Sequence, residues 1–309
     1  MKIAVMGAGA IGGYFGARLA TVATNDVTLI ARGAHLAAMQ EKGLQVRSPL
    51  GDFTVNPVQA TDNPAEVGPV DVVLFMVKLY DTEAAARQIK PLIGPNTAVI
   101  SFQNGVDACD MLSAVLGKQH VLGGVVLCPA SVPEPGVISH NGKMAKLLFG
   151  EFHATSSPRA EAFRAALQGG GVESEVVPDI EAQLWNKFVF IAAMSAVNGL
   201  MRQSIGVALA DNDGRQLFID AMREVIAVAA ARGIMLPSDS VERYLSICDA
   251  MPSIKASMQQ DLERGKRIEI RYLSGTVARL GAQLGVPTPI HRTAFAALKP
   301  YENGTPIVG

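Results

Sequence analysis

Cysteine is scarce in this sequence. Cys109, Cys128 and Cys248 lie far apart in 309 residues, and no two of them form a CxxC pair. So few, so scattered, they build neither a disulfide framework nor a zinc site. The five histidines (His35, His120, His140, His153 and His291) are equally dispersed, and no metal site is expected. Charge is thin as well: 18% of residues are charged and the formal net charge is -1. Without a basic field, neither nucleic acid nor an anionic membrane is an expected partner. The apolar start "KIAVMGAGAIGG" is broken by glycines and has one leading lysine, so it does not read as a signal peptide. The most apolar run, "LWNKFVFIAAMSAVNGLM", carries Asn186, Lys187 and Asn198 and is no longer than a buried core helix. What the sequence does have is 49% hydrophobic residues, enough for a sizeable core, and a length that suggests two domains. A soluble, cytoplasmic protein is the expectation.

The first half reads as alternating strands and helices. Lys2 to Met6 form a short β-run, Gly7-Ala8-Gly9-Ala10-Ile11-Gly12 follows at once, and a helical stretch runs to about Ala20. This is G-x-G-x-x-G between a strand and a helix, the setting in which the motif binds a dinucleotide. Gly7 would make the tight turn, Gly9 would admit a pyrophosphate close to the backbone, and Gly12 would let helix pack on strand. The first-turn N–H groups and the helix dipole complete an anion site. The next strand, "DVTLIAR", ends at Arg32, where NAD-binding units carry an acid for the ribose hydroxyl. A guanidinium there suits a 2′-phosphate, which implies NADP. A third strand, "DVVLFMVKLYDT", brings Lys78 toward the cofactor phosphates, and "TAVISFQNGVD" ends in Asn104-Gly105, where Asn104 can hydrogen-bond ribose, nicotinamide or substrate. The dipeptide Asn104-Gly105 also marks an ordinary turn. Two more strands lie in "HVLGGVVLCPASV" and "KLLFGEF", with a Pro/Gly-rich connection over residues 129–142.

After Pro178 the pattern turns helical. Apolar positions recur at helical spacing over 180–201, 211–232, 238–248 and 253–281. The expected architecture is α/β: a Rossmann-type, doubly wound parallel sheet over residues 1–178, then an all-helical domain over 179–309 for substrate and catalysis. On the first of these helices Lys187, Ile191, Met194 and Asn198 share one narrow face. Lys187 has two readings. Its stem can lie on the core with the ammonium in water, or it can be a proton donor tuned by burial. Lys187 and Asn198 together suit a helix that faces a cleft.

The GAGAIG fingerprint with Arg32, the QNG turn, "LWNKFVF" and "ASMQQDLERGKRIEIRYLSGTVARLGAQLGVPTP" together resemble the ketopantoate reductase (2-dehydropantoate 2-reductase) family. The similarity runs to about Lys299, and the C-terminal segment is its most specific part. The resemblance implies NADPH-dependent reduction of a small 2-oxo acid, ketopantoate to pantoate, in pantothenate and coenzyme A biosynthesis; a homodimer is left open. By the same resemblance Lys187 gives a proton to the substrate carbonyl, Asn104 seats nicotinamide and substrate, Ser257 holds the carboxylate, and Glu269 binds the substrate hydroxyl. Arg32 and Lys78 match the 2′-phosphate contacts. Ser257 and Glu269 would not share a face of an unbroken helix, but Gly265 between them can break it.

Many family members carry asparagines four and eight residues after the lysine; this chain has Ile191 and Ser195. That departure leaves the reductase chemistry intact and bears on the substrate, so reduction of another 2-oxo acid by the same chemistry is the alternative. A non-catalytic NADP-binding sensor is a third reading, one that needs neither Lys187 nor Glu269.

Overall fold

The computed structural model describes residues 1–154 and 157–306. One compact unit comprises Met1–Gln103 and Ala108–Ile180; the other comprises Asn104–Asp107 and the chain from Glu181 onward. The sequence reading has one boundary near Pro178. The tetrapeptide Asn104–Asp107 instead groups with the helical unit.

In the first unit the strands are β1 (Lys2–Met6), β2 (Asp26–Ile30), β3 (Leu44–Arg47), β4 (Phe53–Val55), β5 (Gln59–Thr61), β6 (Val70–Phe75), β7 (Ile93–Ser101), β8 (Val121–Leu127), β9 (Ala130–Glu134), β10 (Val137–His140), β11 (Lys146–Gly150) and β12 (Glu173–Val176). The helices are α1 (Ala10–Ala20), α2 (Gly33–Lys42), α3 (Thr82–Gln88), α4 (Ala108–Leu116) and α5 (Pro158–Gly169). Among the described residues the main sheet has the order β12-β11-β8-β7-β6-β1-β2-β5. From β5 to β8 every pairing is parallel, while β11 runs antiparallel to β8. The order reverses at β1, whose neighbours are β2 and β6, so the topological switch point lies at the carboxyl ends of β1 and β6.

The central strands carry apolar runs, Ile3–Met6, Val72–Phe75 and Ala98–Ile100, because both sheet faces are covered there. Alternate residues feed separate cores: Ile3 and Val5 pack with Leu29, Leu74 and Ile100, whereas Ala4 and Met6 pack with Ile30, Val73, Phe75 and Val99. Residues 129–142, read from sequence as a plain connection, hold β9 and β10 of a second sheet, ordered β4-β3-β10-β9. The proline and glycine that suggested a loop have places in a hairpin. Pro133 lies on the edge strand β9, where no ladder donor is needed, and Gly136 takes the positive φ of the turn, 79°.

The helical unit contains α6 (Ile180–Met201), α7 (Ile205–Leu209), α8 (Asn212–Ala231), α9 (Ser240–Ala250), α10 (Ser257–Glu263), α11 (Ser274–Leu284) and α12 (Pro289–Leu298). Helix α6 is long and apolar enough to cross a membrane, yet 61% of its most apolar window is buried within the protein. It is a core helix, packed through Trp185, Phe188, Val189 and Val197. The stretch 253–281, helical in its spacing and with Gly265 as its candidate break, is two helices. Gly265, with φ 65°, follows the last turn of α10, and residues 264–273 run outside α-helix before α11 begins.

A buried polar knot fixes α8, α11 and α12. Glu224 accepts from the backbone N–H of Ile290 (2.8 Å) and His291 (3.0 Å), which satisfies the start of α12. His291 is fully buried; its Nε2 faces the Ala221 carbonyl at 3.0 Å and its Nδ1 lies 3.2 Å from Ser274 Oγ. Nε2 therefore donates to that carbonyl, and in the neutral ring Nδ1 accepts from the serine. Burial pushes its pKa down to about 4 from 6.5. The unfolded chain protonates His291 near pH 6.5 and the folded one does not, so stability is full above that value and declines as pH falls toward 4. The decline due to this residue should approach about 3 kcal/mol. Denaturant unfolding of the parent at pH 7 and pH 4.5 should show it, and the difference should shrink in His291→Gln.

Candidate active site

The glycine turn is built by crowding on two sides and open space on the third. Gly7 has φ 93°, and a side chain there would meet Met76 and Val77 backbone at 2.9 Å. A Cβ on Gly12 would lie 2.3 Å from the Gly7 carbonyl oxygen. Gly9 differs: a Cβ there would meet nothing within 4 Å. The N–H groups of Gly7 and Ala8 both donate to Ile30 O, at 3.1 and 2.9 Å, which anchors the turn to β2. Gly9 caps α1 without a side-chain hydrogen bond, and no acid sits in the first turn. Free donors, a positive helix end and room above Gly9 fit the pyrophosphate of a dinucleotide. Ala8 is buried beneath the turn, while Ala10 and Ile11 are half-buried in the first turn of α1.

Arg32 is exposed at the N-cap of α2, two residues beyond β2, and donates from Nη2 to Gln88 Oε1 at 3.2 Å. Lys78 is half-buried just after β6. Two further side chains, given no role of their own in the sequence reading, support this region. Gln103, buried, donates from Nε2 to Val77 O (3.0 Å) and Thr82 Oγ1 (2.8 Å), holding the turn that carries Lys78, and its Oε1 accepts from Ser101 Oγ (3.1 Å). His35 accepts at Nδ1 from the Gly136 N–H at 3.0 Å, which ties α2 to the second sheet. Burial lowers its pKa, with the Ala8 backbone opposing the shift. The QNG turn contains Gln103, but spacing along the sequence shows neither residue's partners.

In the helical unit, Lys187 stands in the second turn of α6, flanked in sequence by buried Trp185 and Phe188. Its ammonium donates to Asn104 Oδ1 at 2.9 Å. Burial pushes its pKa down to about 8 from 10.5, because the apolar surroundings disfavour the charged form. Asn104 sits in a turn made possible by Gly105, whose φ is 98°. Three residues on, Asp107 accepts from Thr276 Oγ1 and, at 2.8 Å, from Arg279 Nη2.

The other expected residues fall differently. Ser257 is exposed at the first position of α10. Glu269 is only 5% exposed, between buried Ile268 and Ile270, so it is no solvated helix-face glutamate. Its carbonyl accepts from the N–H of Tyr272 and Leu273, in the turn that precedes α11. Asn198 requires a correction. Read from sequence as a substrate contact, it is fully buried with both amide ends on backbone. Nδ2 donates to Gln203 O (2.8 Å) and Oδ1 accepts from Ala256 N (3.3 Å). It is a strut between the end of α6 and the residue before Ser257.

A Rossmann-type turn in one unit and a helix-borne lysine on an asparagine in the other define a class, the Rossmann-type oxidoreductases. The family models described as ketopantoate reductase PanE/ApbA and its C-terminal domain match residues 3–154 and 179–302. The chain therefore belongs to the ketopantoate reductase family. It is 33% identical to the 2-dehydropantoate 2-reductase of Mesorhizobium japonicum, over 97% of each chain. A crystal structure of a PanE/ApbA family ketopantoate reductase from Ralstonia eutropha superposes with a TM-score of 0.90 at 34% identity, covering 98% of both chains. D-mandelate dehydrogenase, solved with NADH and anilino(oxo)acetate, shares the fold at a TM-score of 0.88 and 23% identity, again over 98% of both.

The glycines separate structural from binding roles. Gly12→Ala should lower the melting temperature markedly, since its Cβ overlaps a carbonyl. Gly9→Ala should melt close to the parent yet lose affinity for a dinucleotide in fluorescence titration.

Proposed function

We propose that this protein reduces ketopantoate (2-dehydropantoate) to pantoate with NADPH, the reaction that supplies pantothenate and coenzyme A biosynthesis, with Lys187 as general acid. The observation that carries this is the half-buried ammonium on Asn104, with a pKa near 8. Bound NADPH supplies the hydride. Lys187 gives its proton to the carbonyl oxygen and stabilises the alkoxide as it forms. Asn104 aims the ammonium. Ser257 holds the substrate carboxylate and Glu269 accepts from the substrate hydroxyl. Arg32 favours NADPH over NADH, because a charged fork suits a 2′-phosphate, and Lys78 adds positive charge beside it. The turn from Gly7 to Gly12 holds the pyrophosphate.

A second reading rests on Ile191. It lies one turn beyond Lys187, half-buried and apolar, and favours a 2-oxo acid with no hydroxyl. The deciding experiment is oxidation of NADPH, and of NADH in parallel, against ketopantoate and ketoisovalerate. A carboxylate left without the hydroxyl it is built to bind can discriminate by roughly 10⁴–10⁵-fold. Ketoisovalerate should thus be far the poorer substrate, and Glu269→Ala should lose activity on ketopantoate specifically. A wild type that prefers ketoisovalerate moves the assignment to another 2-oxo acid; no oxidation with any oxo acid removes the reductase reading.

Lys187→Ala should fold like the parent and lose kcat by roughly 10²–10⁴-fold. The pH dependence has a defined sign. Reduction needs the ammonium, so kcat should fall as pH rises through about 8, whereas oxidation of pantoate needs the free amine and should rise over the same range. Steady-state rates in both directions from pH 6 to 10 test it.

A further inference from the structure

We propose that Asp107 is a positioning residue that acts on Lys187 through Asn104, by clamping the Asn104–Asp107 turn onto α11. This rests on the reading of Lys187 as the proton donor and extends it to a residue that touches neither substrate nor cofactor.

The turn is short and conformationally unusual. Gly105, with φ 98°, sends the chain from Asn104 back toward Asp107. Asn104, Val106 and Asp107 are half-buried, and Val106 alone gives the tetrapeptide an apolar side chain to pack on the helical core. Its other fixed points are polar. At one end Asp107 receives the hydroxyl of Thr276, which is almost completely buried, and the guanidinium of Arg279 at 2.8 Å. At the other, Asn104 presents Oδ1 to Lys187 Nζ at 2.9 Å. Both carboxylate oxygens are engaged, one by each partner, so the carboxylate cannot rotate without losing a bond. The Asp107–Arg279 pair is partly exposed and, as an ion pair, worth little to stability. Its consequence is geometric: α11 sets where Asn104 Oδ1 stands. A carbonyl oxygen so placed favours the charged form of the lysine and opposes the effect of burial.

The test is a double-mutant cycle on Asp107→Ala and Asn104→Ala, read in two ways. The first is the titration midpoint of Lys187, followed by NMR of protein carrying 13C at lysine Cε, with Lys187→Arg to assign the signal. The second is kcat for oxo-acid reduction. Each single variant should move the midpoint to lower pH, and Asp107→Ala should lower kcat by roughly 10–10²-fold, the scale of a small misplacement of a reacting group. In the Asn104→Ala background, Asp107→Ala should add nothing to either. Thr276→Val, which keeps every charge, should reproduce the direction of Asp107→Ala, and Thr276→Ser should restore the parent; these two also serve if Asp107→Ala does not fold. Additive effects would mean that Asp107 acts on Lys187 by its own charge, and an unmoved midpoint in Asp107→Ala and Thr276→Val would mean that the clamp only anchors a loop; either result overturns the proposal. The titration needs no turnover. Midpoints that shift non-additively in a protein that reduces no oxo acid would uphold the clamp and remove the proton-donor reading alone.

Discussion

The helical unit is organised around a charge kept among hydrocarbon. Lysine is seldom buried without a partner, because an ammonium loses its hydration there. Lys187 is set in a long apolar helix and answers that cost with the carbonyl oxygen of Asn104. Burial pushes its pKa down to about 8, because the apolar surroundings disfavour the charged form.

The glycine turn before α1 follows from crowding, not from flexibility. Gly7 and Gly12 are glycine because backbone and side chains of β1 and the turn after β6 occupy the space that a Cβ would need. A Cβ on Gly9 would meet nothing within 4 Å, and that space lies at the N-terminal end of α1. Side chains from elsewhere in the unit then hold the surroundings. Gln103 grips the turn that carries Lys78, and His35 joins α2 to the hairpin of the second sheet.

In the helical unit, buried polar groups do the placing where apolar packing is indifferent to register. Glu224, His291 and Ser274 fix three helices by direct hydrogen bonds, and Asn198 spends its amide on backbone at both ends. Gly265 ends α10 early enough for Glu269 to fall in a turn instead of on a helix face. That single break turns a residue that composition would assign to solvent into a buried carboxylate.

The architecture was legible because it rests on local periodicity. Unbroken apolar runs marked β1, β6 and β7, the glycine spacing marked the turn into α1, and the 3.6-residue pattern marked α6 and α8. The second sheet was not legible: its strands are three to five residues long, three of them carry proline or adjoin glycine, and pairing between segments about ninety residues apart leaves no local trace. Among site residues, the sequence alone determined which groups can do the chemistry, a lysine on an apolar helix and a glycine-rich turn before another. Only the tertiary structure decided how they are used. It put Asn104 on Lys187, gave Asp107 to Thr276 and Arg279, and withdrew Asn198 into a backbone strut. Hydrogen bonds act over about three ångströms, and which groups come within that distance is set by packing across 60 to 170 residues of chain, not by spacing along it.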